Sequence, residues 1–103
     1  MLPEADVFAA LGDETRLRLV DRLRRRGPLS ITQLSHGLPL TRQAVTKHLR
    51  VMEEAGLVHG EKRGRETVWA LSYPRLQEAR DYLDVISHQW DEALERLRNL
   101  VED

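Results

Sequence analysis

Read from its amino end, the chain alternates between stretches whose apolar residues recur every three or four positions and breaks marked by glycine or proline. Pro3 can open a helix, and Glu4 to Leu11 read as a short helix stopped by Gly12. Asp13 is a good N-cap for a second helix, Glu14 to Arg26. Its apolar stripe is Leu17, Val20 and Leu23, with Leu19 beside them, and Gly27-Pro28 ends it. Ser30 followed three residues later by Gln33 fits a capping box, which opens a short helix through Leu34 to about His36. Residues 37–40 then make a tight turn. Thr41 is the next N-cap, for a helix from Arg42 to Ala55 whose inward face is Val45, Leu49 and Met52 and which Gly56 closes.

Beyond Gly56 the period changes. Leu57 to Arg63 and Glu66 to Leu71 alternate weakly around the turn Arg63-Gly64-Arg65, the pattern of a β-hairpin. Thr67, Trp69 and Leu71 share one face of it; Val68 and Ala70 share the other. After Pro74 neither glycine nor proline occurs, and Leu76, Ala79, Leu83, Ile86, Trp90, Ala93, Leu97 and Leu100 follow one another at alternating spacings of three and four, an unbroken heptad seam. As one helix this segment is about 40 Å long at roughly 1.5 Å per residue. That is too long to bury its stripe against a small domain, so the pattern predicts a partner helix from a second copy. A break near Ser87-His88, giving two antiparallel helices, is the competing reading.

Two short helices joined by a tight turn and followed by a basic hairpin make a winged helix-turn-helix. The expected class is therefore mainly α with a small β-hairpin, as a single domain over residues 1–103. Its expected parts are N-terminal helices (4–26), the helix-turn-helix (30–55), the wing (57–71) and a long C-terminal helix forming a dimer seam (74–102).

A chain of 103 residues supports one domain with a modest core of its own. It has no apolar run long enough to cross a membrane, and residues 1–6 are acidic and lack the basic and apolar stretches of a signal peptide, so no membrane partner and a cytoplasmic location are expected. It has no cysteine, which removes disulfides, thiolate metal sites and cysteine nucleophiles. The net charge of −1 is uninformative, but its distribution is not. Between Thr41 and Arg65, six basic residues (Arg42, Lys47, Arg50, Lys62, Arg63, Arg65) face three acidic ones; between Leu76 and Asp103, eight acidic residues face three basic ones. The first region can sit on phosphate, and the second is repelled by it.

The side chains suit double-stranded DNA. On the helix from Arg42, the residues not needed for the core are Arg42, Gln43, Thr46, Lys47 and Arg50. Glutamine can pair bidentately with adenine, and arginine or lysine with guanine; threonine can bond a phosphate or touch a thymine methyl. The Thr41 cap, with free N–H groups behind it, favours a phosphate. The hairpin tip carries Lys62, Arg63 and Arg65 on a narrow loop suited to phosphates or a narrow minor groove. No Ser/His/Asp or Cys/His arrangement, phosphate loop or paired-histidine motif is present to suggest an enzyme. A winged helix used for protein–protein contact is the rival binding module; the retained basic residues favour DNA.

The stretch Phe8 to Arg18 resembles the opening of the ArsR/SmtB-type bacterial regulators, whose pattern is close to F-x-A-L-x-D-x-T-R. Leu40 to Val58 resembles their recognition segment, where [ST]-x-H-L-x-x-L-x-x-A-G-L-[VI] is typical, and Gly64-Arg65 with Trp69 and Leu71 resembles their wing. The resemblance spans nearly the whole chain. It implies a homodimeric transcriptional repressor held by its first and last helices, with one recognition helix per half-site of an inverted repeat. His48 joins the candidate DNA residues through this pattern, its alternative being packing or a hydrogen bond on the helix surface. Many members of the family are metal-responsive repressors, through thiolates or through clusters on the last helix. Here cysteine is absent and the last helix has one histidine, His88, with Asp84, Asp91 and Glu92 on its face. The chain is more similar to the branch without metal ligands, whose last helix carries a tryptophan, here Trp90. Trp90 is a seam position and alternatively lines a small-molecule pocket there. No metal site or other cofactor is expected, and no residue pattern names an effector.

Overall fold

A computed structural model describes residues 3–102; the first two residues of the acidic N-terminal stretch lie outside it. Five helices and three strands follow one another as α1 (Pro3–Leu11), α2 (Glu14–Arg26), β1 (Leu29–Ser30), α3 (Ile31–Ser35), α4 (Arg42–Glu54), β2 (Val58–Arg63), β3 (Glu66–Leu71) and α5 (Tyr73–Glu102). This is a winged helix-turn-helix with a long C-terminal helix.

The caps fall where the side chains dictate. Asp13 accepts a hydrogen bond from the Arg16 N–H, Ser30 and Gln33 form a complete capping box, and Thr41 accepts from the Ala44 N–H. Each satisfies donors that the first turn of a helix cannot satisfy itself. Gly27, Gly37 and Gly56 follow helices at positive φ, a conformation open to glycine without strain.

The core is one cluster. Leu19 and Leu23 of α2, Leu34 of α3, and Val45, Leu49 and Met52 of α4 are fully buried and meet Leu57, Val58 and Trp69 of the wing. The stripe of α2 is thus Leu19 and Leu23, four residues apart, with Val20 packed at its edge. Leu17 belongs to the opposite side and is half exposed, because two positions on a helix turn a side chain by about 200°.

The hairpin is antiparallel, with Arg63 opposite Glu66 and Val58 opposite Leu71. Gly64 has φ 64° and no other residue of the loop has positive φ, the signature of a two-residue type II′ turn. A strand absent from the sequence reading completes the sheet: β1 pairs antiparallel with β3, Leu29 opposite Trp69 and Ser30 opposite Val68. Two residues carry no period, so no alternation could announce it.

α5 is continuous through Ser87 and His88, which excludes the two-helix alternative. At 30 residues it is about 45 Å long, and it stretches the molecule to 67 Å along one axis against 26 Å across. Only its first turns pack on the body. Leu76 and the buried Ala79 join the core of their own chain, and Tyr82 meets Phe8 of α1 with ring centroids 6.0 Å apart. These two seam positions are therefore covered without a partner. From Leu83 to Glu102 every residue is exposed except the half-buried Ala93.

Ser30→Ala removes one half of the capping box at a buried position. Urea unfolding is expected to show a loss of about 1 kcal/mol with an unchanged m-value; an unchanged midpoint would show that the cap adds nothing.

Candidate nucleic-acid interface

The buried stripe of α4 fixes which side chains look outward. Arg42, Gln43, Thr46 and Lys47 come together along a shallow open depression on the helix. Gln43 and the ends of Arg42 and Lys47 have no partner among the described residues. The Thr46 hydroxyl donates to the Arg42 carbonyl at 2.8 Å, which turns its hydrogen inward and leaves its methyl and oxygen lone pairs for a ligand.

Arg50, one turn further, is already engaged. Its guanidinium lies 3.0 Å from Glu53 and 5.5 Å above the centre of the Trp69 ring. It stacks on the wing and covers a tryptophan that is 2% exposed. Trp69 in turn lies against Gly60, its cross-strand partner, where a Cβ would come within 3.2 Å of the indole. Gly60 is thus a close-approach glycine, and the recognition helix, the arginine and the wing form one stack.

At the hairpin tip, Arg63 sits 3.8 Å from Glu61, while Lys62 and Arg65 carry no ion pair among the described residues. Arg65 and Arg42 line one cleft between the wing and the start of α4. The uncommitted cations are therefore Arg42 and Lys47 on the helix and Lys62 and Arg65 on the wing; Arg50 and Arg63 are shared with carboxylates.

His48 is placed elsewhere. At about 100° per residue it points roughly 170° away from the centre of the face formed by Arg42, Gln43, Thr46, Lys47 and Arg50. Its side chain is 25% exposed and faces α2. Its Nδ1 lies 3.2 Å from the Arg16 guanidinium and 3.8 Å from the Asp13 carboxylate. Arginine only donates, so Nδ1 accepts and the proton of the neutral ring is on Nε2. Arg16 also donates to the Ala10 carbonyl, tying the end of α1 to α4. Of the two roles open to His48, the geometry matches packing. A second brace is Arg22, which donates to the carbonyls of Leu34 and His36 at 2.8 and 2.7 Å and so holds the end of α3. Neither brace was legible in the sequence, since the partners lie 12 to 32 residues apart with no spacing rule.

The chain matches the family model described as a helix-turn-helix domain over residues 11–61. It is 37% identical to the HTH-type transcriptional regulator Rv2034 of Mycobacterium tuberculosis, across 92% of this chain and 85% of the relative. It belongs to the ArsR/SmtB family of transcriptional regulators. It is also 41% identical to the HTH-type transcriptional regulator YuzN of Bacillus subtilis, over 60% of this chain and 74% of that one. Among solved structures it is similar to an ArsR-like transcriptional regulator from Rhodococcus sp. RHA1, at 36% identity and a TM-score of 0.81, covering 95% of this chain and 92% of the other. An ArsR-family regulator is a DNA-binding regulator of transcription and not an enzyme. Among the described residues no helix is long and apolar enough to cross a membrane, and no three histidine, aspartate or glutamate side chains gather as a metal site. His88 lies 3.2 Å from Glu92 on the exposed surface of α5.

Asp13 anchors this family member's support beneath α4. The hydrogen bond from the Arg16 N–H holds its carboxyl below the ordinary value of 3.8, opposed by partial desolvation and helped by the charge of Arg16 and, when its ring is protonated, of His48. A folded-state pKa below the unfolded one contributes stability that is fully present above about pH 3.8 and is lost as pH falls through the folded value. Asp13→Asn keeps a capping oxygen without the charge, so the variant is expected to lose less stability than the parent on acidification below pH 4, measured by urea midpoints at a series of pH values. Parallel acid limbs would exclude this role.

Proposed function

We propose that the regulator is a homodimeric repressor that binds an inverted repeat in double-stranded DNA and blocks transcription by occupying it. Each protomer lays α4 in a major groove, with the Lys62–Arg65 tip on the flanking backbone or minor groove. The observation that carries this reading is the gathering of four cations without partners among the described residues, Arg42, Lys47, Lys62 and Arg65, on one helix face and the neighbouring wing tip; Arg26 on α2 and Arg80 and Arg96 on α5 also lack partners but belong to other elements. Elsewhere Arg18, Arg24, Arg25 and Arg98 are each satisfied by a carboxylate of their own helix. An exposed arginine or lysine left without a counter-ion is suited to displacing condensed counter-ions from DNA.

Within the face, Gln43 is the group suited to adenine, Lys47 to guanine, and the outward methyl of Thr46 to a thymine methyl. Two copies are supported by the outer half of α5. There Leu83, Trp90 and Leu97 are 51%, 64% and 57% exposed along one stripe, a face that water disfavours and that an identical helix can cover. Ile86, Leu100 and the half-buried Ala93 continue the stripe, and the exposed Leu94 widens it. Dimerisation presents two recognition helices related by a two-fold axis, and an inverted repeat has the same symmetry.

Binding of full-length protein to a duplex selected from a random library is expected to weaken steeply with salt, the slope reporting the phosphates contacted. A flat response would remove the electrostatic basis of the reading. Gln43→Ala should cost about 1–3 kcal/mol on the selected duplex and relax preference at one base position per half-site; equal loss on every sequence would make Gln43 a backbone contact. Leu83→Glu, and separately Trp90→Ala, should shift sedimentation equilibrium from dimer to monomer. A dimer indifferent to both would place the interface off this stripe.

A further inference from the structure

The cleft between wing and recognition helix is lined by charge from two separate elements. Arg42 comes from the first position of α4 and Arg65 from the hairpin turn, and neither guanidinium has an ion-pair partner among the described residues. The hydroxyl-bearing Thr32, exposed on α3, and Thr67, half-buried on β3, line the same cleft. Behind Arg42 the first turn of α4 leaves the Arg42 and Gln43 N–H groups without intrahelical acceptors, since Thr41 already serves the N–H groups of Ala44 and Val45. Glu66 is the one carboxylate of the lining, against two guanidiniums.

The geometry points to a seat for a single DNA backbone phosphodiester in this cleft, gripped from one side by Arg42 and from the other by Arg65, with Thr32 and Thr67 as hydroxyl donors. This rests on the DNA reading above and deepens it. Planar guanidiniums converging on one anion suit a tetrahedral phosphate, whose oxygens accept charge-assisted hydrogen bonds from several directions. A flat base edge offers no such convergence. Arg42 is therefore a backbone contact despite lying on the recognition helix, and base discrimination falls to Gln43, Thr46 and Lys47. Shared use of one phosphate also fixes the angle between helix and wing on the DNA, because the two elements close on the same point.

The test uses the full-length protein and a duplex that it has selected from a random library. Neutral methylphosphonate linkages are placed one at a time along the duplex. One linkage per half-site is expected to weaken parent binding by about tenfold, the usual weight of charge-assisted hydrogen bonds. Arg42→Ala and Arg65→Ala should each lose part of the sensitivity at that same linkage, and the double variant most of it, while all remain as sensitive as the parent at other linkages. Repeated selection with Arg42→Ala should return the parent's preferred sequence. Both arginines are exposed, so unchanged thermal unfolding is expected and verifies that the variants are folded. Loss of sensitivity at two different linkages, or an altered base preference for Arg42→Ala, would overturn the shared seat while leaving DNA binding intact. Failure of the parent protein to select any duplex would instead overturn the DNA reading on which the seat rests.

Discussion

The rotational setting of α4 governs what this molecule presents to its surroundings. Val45, Leu49 and Met52 have no exposed surface, and they press against Leu19, Leu23 and Leu34 on one side and against the wing's Leu57, Val58 and Trp69 on the other. A helix anchored by three buried residues over two turns cannot roll without opening a cavity, which costs about 2–5 kcal/mol for each large side chain withdrawn. The outward direction of Gln43 and Lys47 is thus a consequence of the core. Arg16 and Arg22 complete the mounting by tying α4 to the end of α1 and holding the end of α3 through carbonyl acceptors.

The distribution of charge follows a division of labour. Arg18, Arg24 and Arg25 on α2 and Arg98 on α5 find carboxylates three or four residues away on the same helix, pairs that contribute little to stability but occupy those cations. On α4 and the wing tip such partners are scarce. Where they occur, at Glu53 and Glu61, they engage Arg50 and Arg63 and leave their neighbours free. Arg50 stands between the two roles: it is a cation on the recognition helix whose plane is occupied by the indole of Trp69, which makes it a hinge pin between helix and wing.

Most of the fold was legible because local chemistry and tertiary packing agree. The Asp13, Ser30 and Thr41 caps, the α4 stripe and the Gly64 turn all stand where spacing and residue type indicate. The misreadings share a cause, which is that they depend on contacts distant in sequence. The two-residue strand β1 exists only through its pairing with Trp69 and Val68. Leu17 shared spacing with the true stripe of α2 but not its direction. Leu76 and Ala79 continue the heptad seam, yet α1 reaches them first. His48 stands within the recognition segment and faces its interior, a direction that the sequence pattern alone does not reveal. The grouping of Arg42, Gln43, Thr46 and Lys47 followed directly from the helical period, whereas the convergence of Arg42 and Arg65 required the path of the hairpin.

The overhang of α5 has a thermodynamic consequence. Past Tyr82 the helix is held by nothing in its own chain beyond backbone hydrogen bonds and weak pairs such as Glu95 with Arg98. An isolated helical segment of that length is marginal in water, since helices draw most of their stability from a packed face. Its order is therefore lent by whatever covers the stripe, and it depends on the concentration of that cover. With the proposed second copy as that cover, dilution would unravel this end of the molecule before it disturbed the core, and the amount of protein present would set how much of each molecule is folded.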